Sequence, residues 1–228
     1  MNRTTLFFVL MASLVYAAEG QVEHQNDVKI ILETPVQYGV GYTHSFNQIY
    51  AGGQVGFLSE PNSTLILGSM QALGVDEIVV DLIENAFQFG WVFELNGGYQ
   101  FEKFYAGLFF QYITLSGDET PNDIVELVLD VDLNAFPRLN QRVADDTMTL
   151  DSDLTQLGLQ FGHNFDFSDS FFLNTEVALS MNIGSSSSVS SPDRDYSGLS
   201  PLMDDYLKDI YRSYAFVPSI TVGFGKRF

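Results

Sequence analysis

The stretch TQLGLQFGHNFDF, 155–167, alternates without a break. Leu157, Leu159, Phe161, Phe165 and Phe167 fall on one face, and Gln156, Gly158, Gln160, Gly162, Asn164 and Asp166 fall on the other. A period of two is the mark of a β-strand. The composition of the two faces constrains the fold further: one is bulky and aromatic, the other glycine and carboxamide. The pattern recurs along the chain. Val36, Tyr38, Val40, Tyr42, His44 and Phe46 oppose Gln37, Gly39, Gly41, Thr43 and Ser45. Phe87, Phe89, Trp91, Phe93 and Leu95 oppose Gln88, Gly90, Val92 and Glu94. Phe171, Leu173, Val177, Leu179, Met181 and Ile183 oppose Asn174, Glu176, Ser180, Asn182 and Gly184. Two stretches, 48–58 and 104–115, carry apolar residues on both faces.

A water-soluble sandwich places large side chains inside and charges outside. Here the polar face is small and nearly free of Lys and Arg, as suits the crowded interior of a narrow barrel, and the aromatic face suits contact with lipid. A strand in lipid must satisfy every backbone hydrogen bond, which only a closed barrel allows. Strands of about 9–11 residues with apolar-out, polar-in alternation meet that requirement. The aromatic residues, 20 Phe, 11 Tyr and 1 Trp, are abundant enough to cover such a barrel. On this reading Tyr38, Tyr42, Phe87, Phe89, Trp91, Phe93, Phe161, Phe165 and Phe216 face lipid. The lumen holds Gln37, Gln88, Glu94, Gln111, Gln156, Gln160, Asn174, Glu176, Asn182 and Arg227. Glu94 and Glu176 need a counter-charge such as Arg227, a shared proton or water, because an unpaired buried charge is costly.

The ends agree with export. Arg3 precedes the apolar run 6–16, and Val15-Tyr16-Ala17 offers small residues for cleavage, so residues 1–17 read as a signal peptide and 18–228 as one barrel domain. Seven strands read clearly: 36–46, 48–58, 87–101, 104–115, 151–166, 170–184 and 213–228. An eighth at 22–32, turning at Glu33-Thr34-Pro35, is favoured because bacterial barrels use even numbers. The rival is one long strand over 28–46. Tight turns at Asn47, Glu102-Lys103 and Ser168-Asp169 alternate with the long segments 59–86, 116–150 and 185–212. Short turns then belong to the periplasmic end and long loops to the cell surface.

These features together resemble the small Gram-negative outer-membrane β-barrels of the broad OmpA, OmpX and OmpW class. The resemblance spans the whole mature chain and rests on the signal peptide, the amphipathic strands and the C-terminal alternation Ile220, Val222, Phe224 and Phe228. It implies location in the outer membrane and recognition of that last strand by the barrel-assembly machinery. It also implies contact with outer-membrane lipids and lipopolysaccharide. Lys226 departs from the pattern, standing where the class usually carries an apolar or aromatic residue.

The long loops contain DEIVVDLIENAF (76–87), NDIVELVLDVDLNAF (122–136) and DDYLKDIYRSYAF (204–216), each read as a short amphipathic helix. Acidic residues suit the helix starts. Ser200-Pro201 is expected to cap the third, whose apolar face is Leu207, Ile210 and Tyr211. The segment 185–198, SSSSVSSPDRDYSG, reads as a flexible loop tip.

The net charge of −19 excludes nucleic acid as a partner. Loose divalent cations at the acidic loops are expected, bridging to lipopolysaccharide. Asp130-Val131-Asp132-Leu133-Asn134 opens like a calcium loop, but Ala135 and Gln141 stand where glycine and the bidentate acid belong. No catalytic, cofactor-binding or metal-ligating residue is assigned. His44 and Ser45 are neighbours on a strand and point to opposite faces, and His44 and His163 suit an interfacial girdle. The expected role is structural, surface-interactive or adhesive. The alternative is a small porin-like channel or ligand conduit gated by the loop helices, and a soluble lipocalin-like barrel is a more distant rival.

Overall fold

The computed structural model describes residues 24–34, 37–59, 89–119, 148–192, 198–213 and 217–228. Eight antiparallel strands follow in chain order: β1 His24–Thr34, β2 Gln37–Phe46, β3 Ile49–Ser59, β4 Phe89–Phe101, β5 Phe104–Glu119, β6 Met148–Asp166, β7 Phe171–Ser190 and β8 Val217–Arg227. Among the described residues one helix, α1, spans Ser200–Ser213 between β7 and β8. Each strand pairs with its neighbours, and β8 pairs with β1 to close the barrel. Cross-strand partners can be followed from Thr34 through Ile220, Val177, Phe161, Ala106, Tyr99, Ile49 and Phe46 back to His24, a stagger of ten residues on β1. A narrow, tilted eight-stranded barrel of this kind leaves room for side chains and little else.

The eighth strand exists, at His24–Thr34, and the single long strand over 28–46 does not. The phase of Val28, Ile30 and Leu32 carries straight across to Val40 and Tyr38 because β1 and β2 are hairpin partners, not one strand. Turns at Asn47 and Glu102 each place a residue in left-handed backbone, φ 55°. Asn tolerates this conformation, whereas Glu102 bears a steric penalty of about 1–2 kcal/mol.

The outward face is a continuous apolar belt. Ile30 and Leu95 are both 68% exposed and Leu159 is 62% exposed. Phe89, Trp91, Phe93, Phe161 and Phe165 face outward with them, as does Tyr42, with Tyr38 half-buried against Phe57. Phe87 and Phe216 lie outside the described residues. So much contiguous exposed apolar surface is incompatible with a chain in water. A closed antiparallel barrel with this belt, short turns at one end and long segments at the other is a membrane-spanning structure of the outer-membrane type.

Three strands outgrow their expected lengths. β5, β6 and β7 continue to 119, from 148 and to 190, so 185–190 is strand and not loop tip. A β-bulge between Thr155 and Gln156 of the β6–β7 ladder adds Ile183 as an extra residue in β7: Gln156 pairs with Asn182 and Thr155 with Gly184. Beyond it β7 reverses phase. Gly184, expected on the polar inner face, is therefore exposed, while Ser187 and Val189 point inward and are buried.

Candidate functional site

The lumen has two zones. In the membrane zone it is polar. Glu94 is buried and accepts hydrogen bonds from Gln54 Nε2 at 2.8 Å, Asn96 Nδ2 at 2.8 Å and Gln111 Nε2 at 3.3 Å. Glu176 accepts from the Tyr105 hydroxyl, which also receives a bond from Asn174 Nδ2 at 2.9 Å; that amide nitrogen donates to Asn164 Oδ1 as well. Glu33 accepts from Gln37 Nε2 at 2.7 Å. Gln160 Nε2 donates to Tyr50 Oη at 2.9 Å, and Ser180 Oγ to Gln156 Oε1 at 3.0 Å. Carboxamides are the right residues for this work, because each supplies N–H donors that solvate a buried carboxylate without adding charge.

The expected lumen residues Gln37, Glu94, Gln111, Gln156, Gln160, Asn174 and Glu176 are all inward and buried. Asn182 sits half-buried at the bulge, where its amide nitrogen, turned toward them, reaches the Thr155 and Gly184 carbonyls at 2.8 and 2.9 Å. Gln88 lies outside the described residues. Arg227 does not neutralise Glu94 or Glu176. It sits at the periplasmic end with Asp166 at 2.8 Å and Asp27 at 3.7 Å, its guanidinium 4.9 Å from the Phe172 ring. Lys103 joins Asp166 at 3.5 Å. These ion pairs fasten the end where the Asn26 and Phe228 backbones exchange two hydrogen bonds and complete the ring.

The interior is not exclusively small and polar. Tyr50, Tyr105, Phe109 and Phe172 point inward. Three of these rings occupy the space over inward glycines: a Cβ on Gly162, Gly158 or Gly225 would lie about 2.2 Å from Tyr105, Phe109 or Phe172. Ring and glycine fill the bore together, leaving a cavity of about 30 Å³ beside Asp27, Lys29, Tyr50 and Gln160. Some of this escaped a reading by composition. The acids Asp27 and Glu33 and the base Lys29 lie on the strand whose existence was in doubt.

Toward the extracellular end the lumen turns apolar. Leu58, Val92, Ile113, Leu115, Met148, Leu150, Leu154 and Val189 form one buried core with Met203, Leu207 and Tyr211 of α1. The helix thus packs onto the apolar end of the lumen. The signal for this core was present in the failed alternation of 48–58 and 104–115, whose inward Leu58, Ile113 and Leu115 belong to it. α1 is also fastened by polar contacts. Among the described residues β8 pairs with β7 from Phe171 to Ser180, and α1 supplies partners to the β7 backbone above. Ser200 Oγ takes the Val189 N–H at 3.1 Å and donates to the Val189 carbonyl, while Asp204 Oδ1 accepts the Ser187 N–H at 2.8 Å. Ser200 was expected to cap its own helix; its hydroxyl instead serves β7, and the Leu199 carbonyl accepts the first helical bond. The Ser152 and Ser187 hydroxyls meet at 2.9 Å, and Ser152 also bonds the Tyr211 phenol. Burial pushes that phenol above its ordinary pKa, with the Ser152 bond opposing in part.

The segments read as helices at 76–87 and 122–136, the calcium-like 130–134 and the signal peptide lie outside the described residues. Of the histidines, His44 points outward while Ser45 is buried and inward, 3.4 Å from Gln100 Oε1. His163 packs between Phe104 and Phe165, ring centroids 4.3 and 4.2 Å away. Among the described residues, neither imidazole stands with a serine and an acid. Ile220, Val222, Phe224 and Phe228 are all exposed on the outward side.

No protein-family model matches the chain, and no curated protein is similar to it in sequence. Among solved structures it is similar to a major outer membrane protein from Thermus thermophilus, with 13% identity over 90% of this chain and 100% of that chain and a TM-score of 0.49. It is also similar to CarO of Acinetobacter baumannii, with 12% identity over 89% and 97% of the two chains and a TM-score of 0.37.

Proposed function

We propose that this outer-membrane barrel is a closed, non-conducting surface protein whose working part is the extracellular ledge formed by the tall β5–β7 wall and α1. The observation that carries this reading is the apolar core beneath α1. An ion leaving the polar lumen would have to cross Leu58, Val92, Ile113, Leu115 and Leu154, a dry constriction that opposes hydrated ions. The role that follows is structural or interactive, with the loop acids meeting lipopolysaccharide through divalent cations. Ile220, Val222, Phe224 and Phe228 serve as the signal to the assembly machinery. The test is a planar-bilayer recording on the full chain and on a variant lacking 200–213. Silence from both is expected. Steady conductance steps that appear when the helix is removed would favour a gated conduit instead.

A further inference from the structure

Lys29 is an inward base that the ion pairs leave over. It lies on β1 between buried Asp27 and Ile31, and among the described residues it joins none of the ion pairs, which belong to Arg227 and Lys103. Arg227 is engaged at the periplasmic end by Asp27 and Asp166. Among the described residues, Lys29 is therefore the base left inside the bore for Glu33, Glu94 and Glu176. Lys29, Gly41, Gln54, Glu94 and Gln111 stand side by side on β1 to β5. Gly41 opens that row. A Cβ there would lie 3.1 Å from Lys29 Cε and 3.3 Å from Lys29 Cγ, so the lysine stem lies across the glycine, on the side of Gln54 and Glu94.

The small cavity beside Lys29 contains acceptors that lack donors. Asp27, Lys29, Thr43, Tyr50, Asn96 and Gln160 are among the residues that line its volume of about 30 Å³. Gln160 is 4% exposed and donates through Nε2 to Tyr50, but its Oε1 has no partner among the described residues. Asn96 donates through Nδ2 to Glu94 at 2.8 Å, and its buried Oδ1 likewise has no partner among them. A cation here would share the cavity with the Lys29 ammonium, and an anion would face the Asp27 carboxylate and two amide oxygens. Water suits both sides, since it accepts from the ammonium and donates to the oxygens.

We propose that this cavity is a hydration site, in which about two water molecules join the Lys29 ammonium to Gln160 Oε1 and Asn96 Oδ1. Asn96 passes the contact on to Glu94, so Lys29 acts as counter-charge to the Glu94 carboxylate without touching it. The volume agrees, because one water needs about 10–15 Å³ of such space and two or more polar partners. The lumen is thus wet at this depth and dry where Leu58, Val92 and Leu154 meet.

The test uses the full chain in nanodiscs for NMR and in lipid vesicles for urea unfolding, with heat-modifiable gel migration confirming that each barrel has closed. Water cross-relaxation is read at the Gln160 and Asn96 side-chain amides. Cross-peaks from bound water are expected at both in the wild type and should be lost in Lys29→Met. Lys29→Met should also lower the folding equilibrium constant about tenfold, the worth of a hydrogen bond to a charged group. In a Glu94→Gln background the same change should cost less than about threefold, because the charge it balances is gone. Should Lys29→Met not close, Lys29→Gln takes its place in the cycle. Equal losses in the two backgrounds overturn the counter-charge role, and missing cross-peaks in the wild type overturn the hydration site. A stability that changes when potassium replaces sodium, or sulfate replaces chloride, at constant ionic strength would put an ion in the cavity and overturn the proposal as well.

Discussion

The lower and upper parts of β6 and β7 are built on opposite plans. Below the level of Thr155 and Gly184, β6 and β7 turn Leu157, Leu159, Phe161, Leu179 and Met181 outward and Gln156, Gln160, Asn174 and Glu176 inward. Above it, β6 turns Asp151 and Asp153 outward and Leu150 and Leu154 inward, and β7 turns Ser186 and Ser188 outward and Val189 inward. The strand geometry does not change along β6, whose alternation is unbroken over its 19 residues. Only the medium changes. Where hydrocarbon surrounds the sheet, polar groups must be gathered inside. Where water surrounds it, apolar groups must be, and they need the α1 face to complete their burial. The outward switch from Leu157 to Thr155 marks the membrane boundary more sharply than any loop does.

The largest test of this contrast is Leu207→Ala. Leu207 is 1% exposed in the ledge core, and its truncation should weaken α1 docking by about 2–5 kcal/mol. Amide exchange should rise across 200–213 while heat-modifiable migration stays unchanged. A lost barrel would mean the two parts are one cooperative unit. Leu159→Lys and Asp153→Lys then probe one face of one strand on either side of the boundary. Urea unfolding in lipid vesicles should show about 2–4 kcal/mol lost for the first and less than about 1 kcal/mol for the second. Equal losses would put the boundary elsewhere.

Asp204→Ala removes the acceptor of the Ser187 N–H and should cost about 1–2 kcal/mol of docking, read by proteolysis at α1. The smallest effect concerns pH. The Tyr211 phenol is raised by burial, so its neutral form is favoured in the docked state. Docking should therefore be flat with pH below the ordinary tyrosine value of about 10 and weaken above it, as the released phenol ionises first. Tyr211→Phe should remove the weakening, and amide exchange of α1 between pH values of about 8 and 11 would show whether it does.

The membrane part was legible in the sequence because lipid demands a pattern that few other settings tolerate. Phe89, Trp91 and Phe93 against Gly90, Val92 and Glu94 announce a lipid-facing strand, and evenness restored β1. What could not be read were features set by partners distant in sequence. Nothing local distinguishes inward Tyr105 from outward Phe104; Gly162 across the ladder supplies its space. The Ser185–Ser188 run looks like linker composition, yet its backbone is held by β6. Arg227 lies on the inward face of β8, and its partners depend on Asp27 and Asp166 lying at the same end of the tilted barrel. The apolar mouth was visible only as imperfect alternation, which becomes meaningful once α1 is seen to cover it.

The additional residue in β7, Ile183, imposes an arithmetic on how this wall can be remodelled. Lengthening β7 between the bulge and Val189 by one residue would swap its dry and wet sides, exposing Val189 and pressing serines into the core, whereas lengthening it by two would leave every side correct. Growth or trimming of the ledge over evolutionary time should therefore proceed in even steps. A lone odd change would have to be accompanied by loss or gain of the bulge itself.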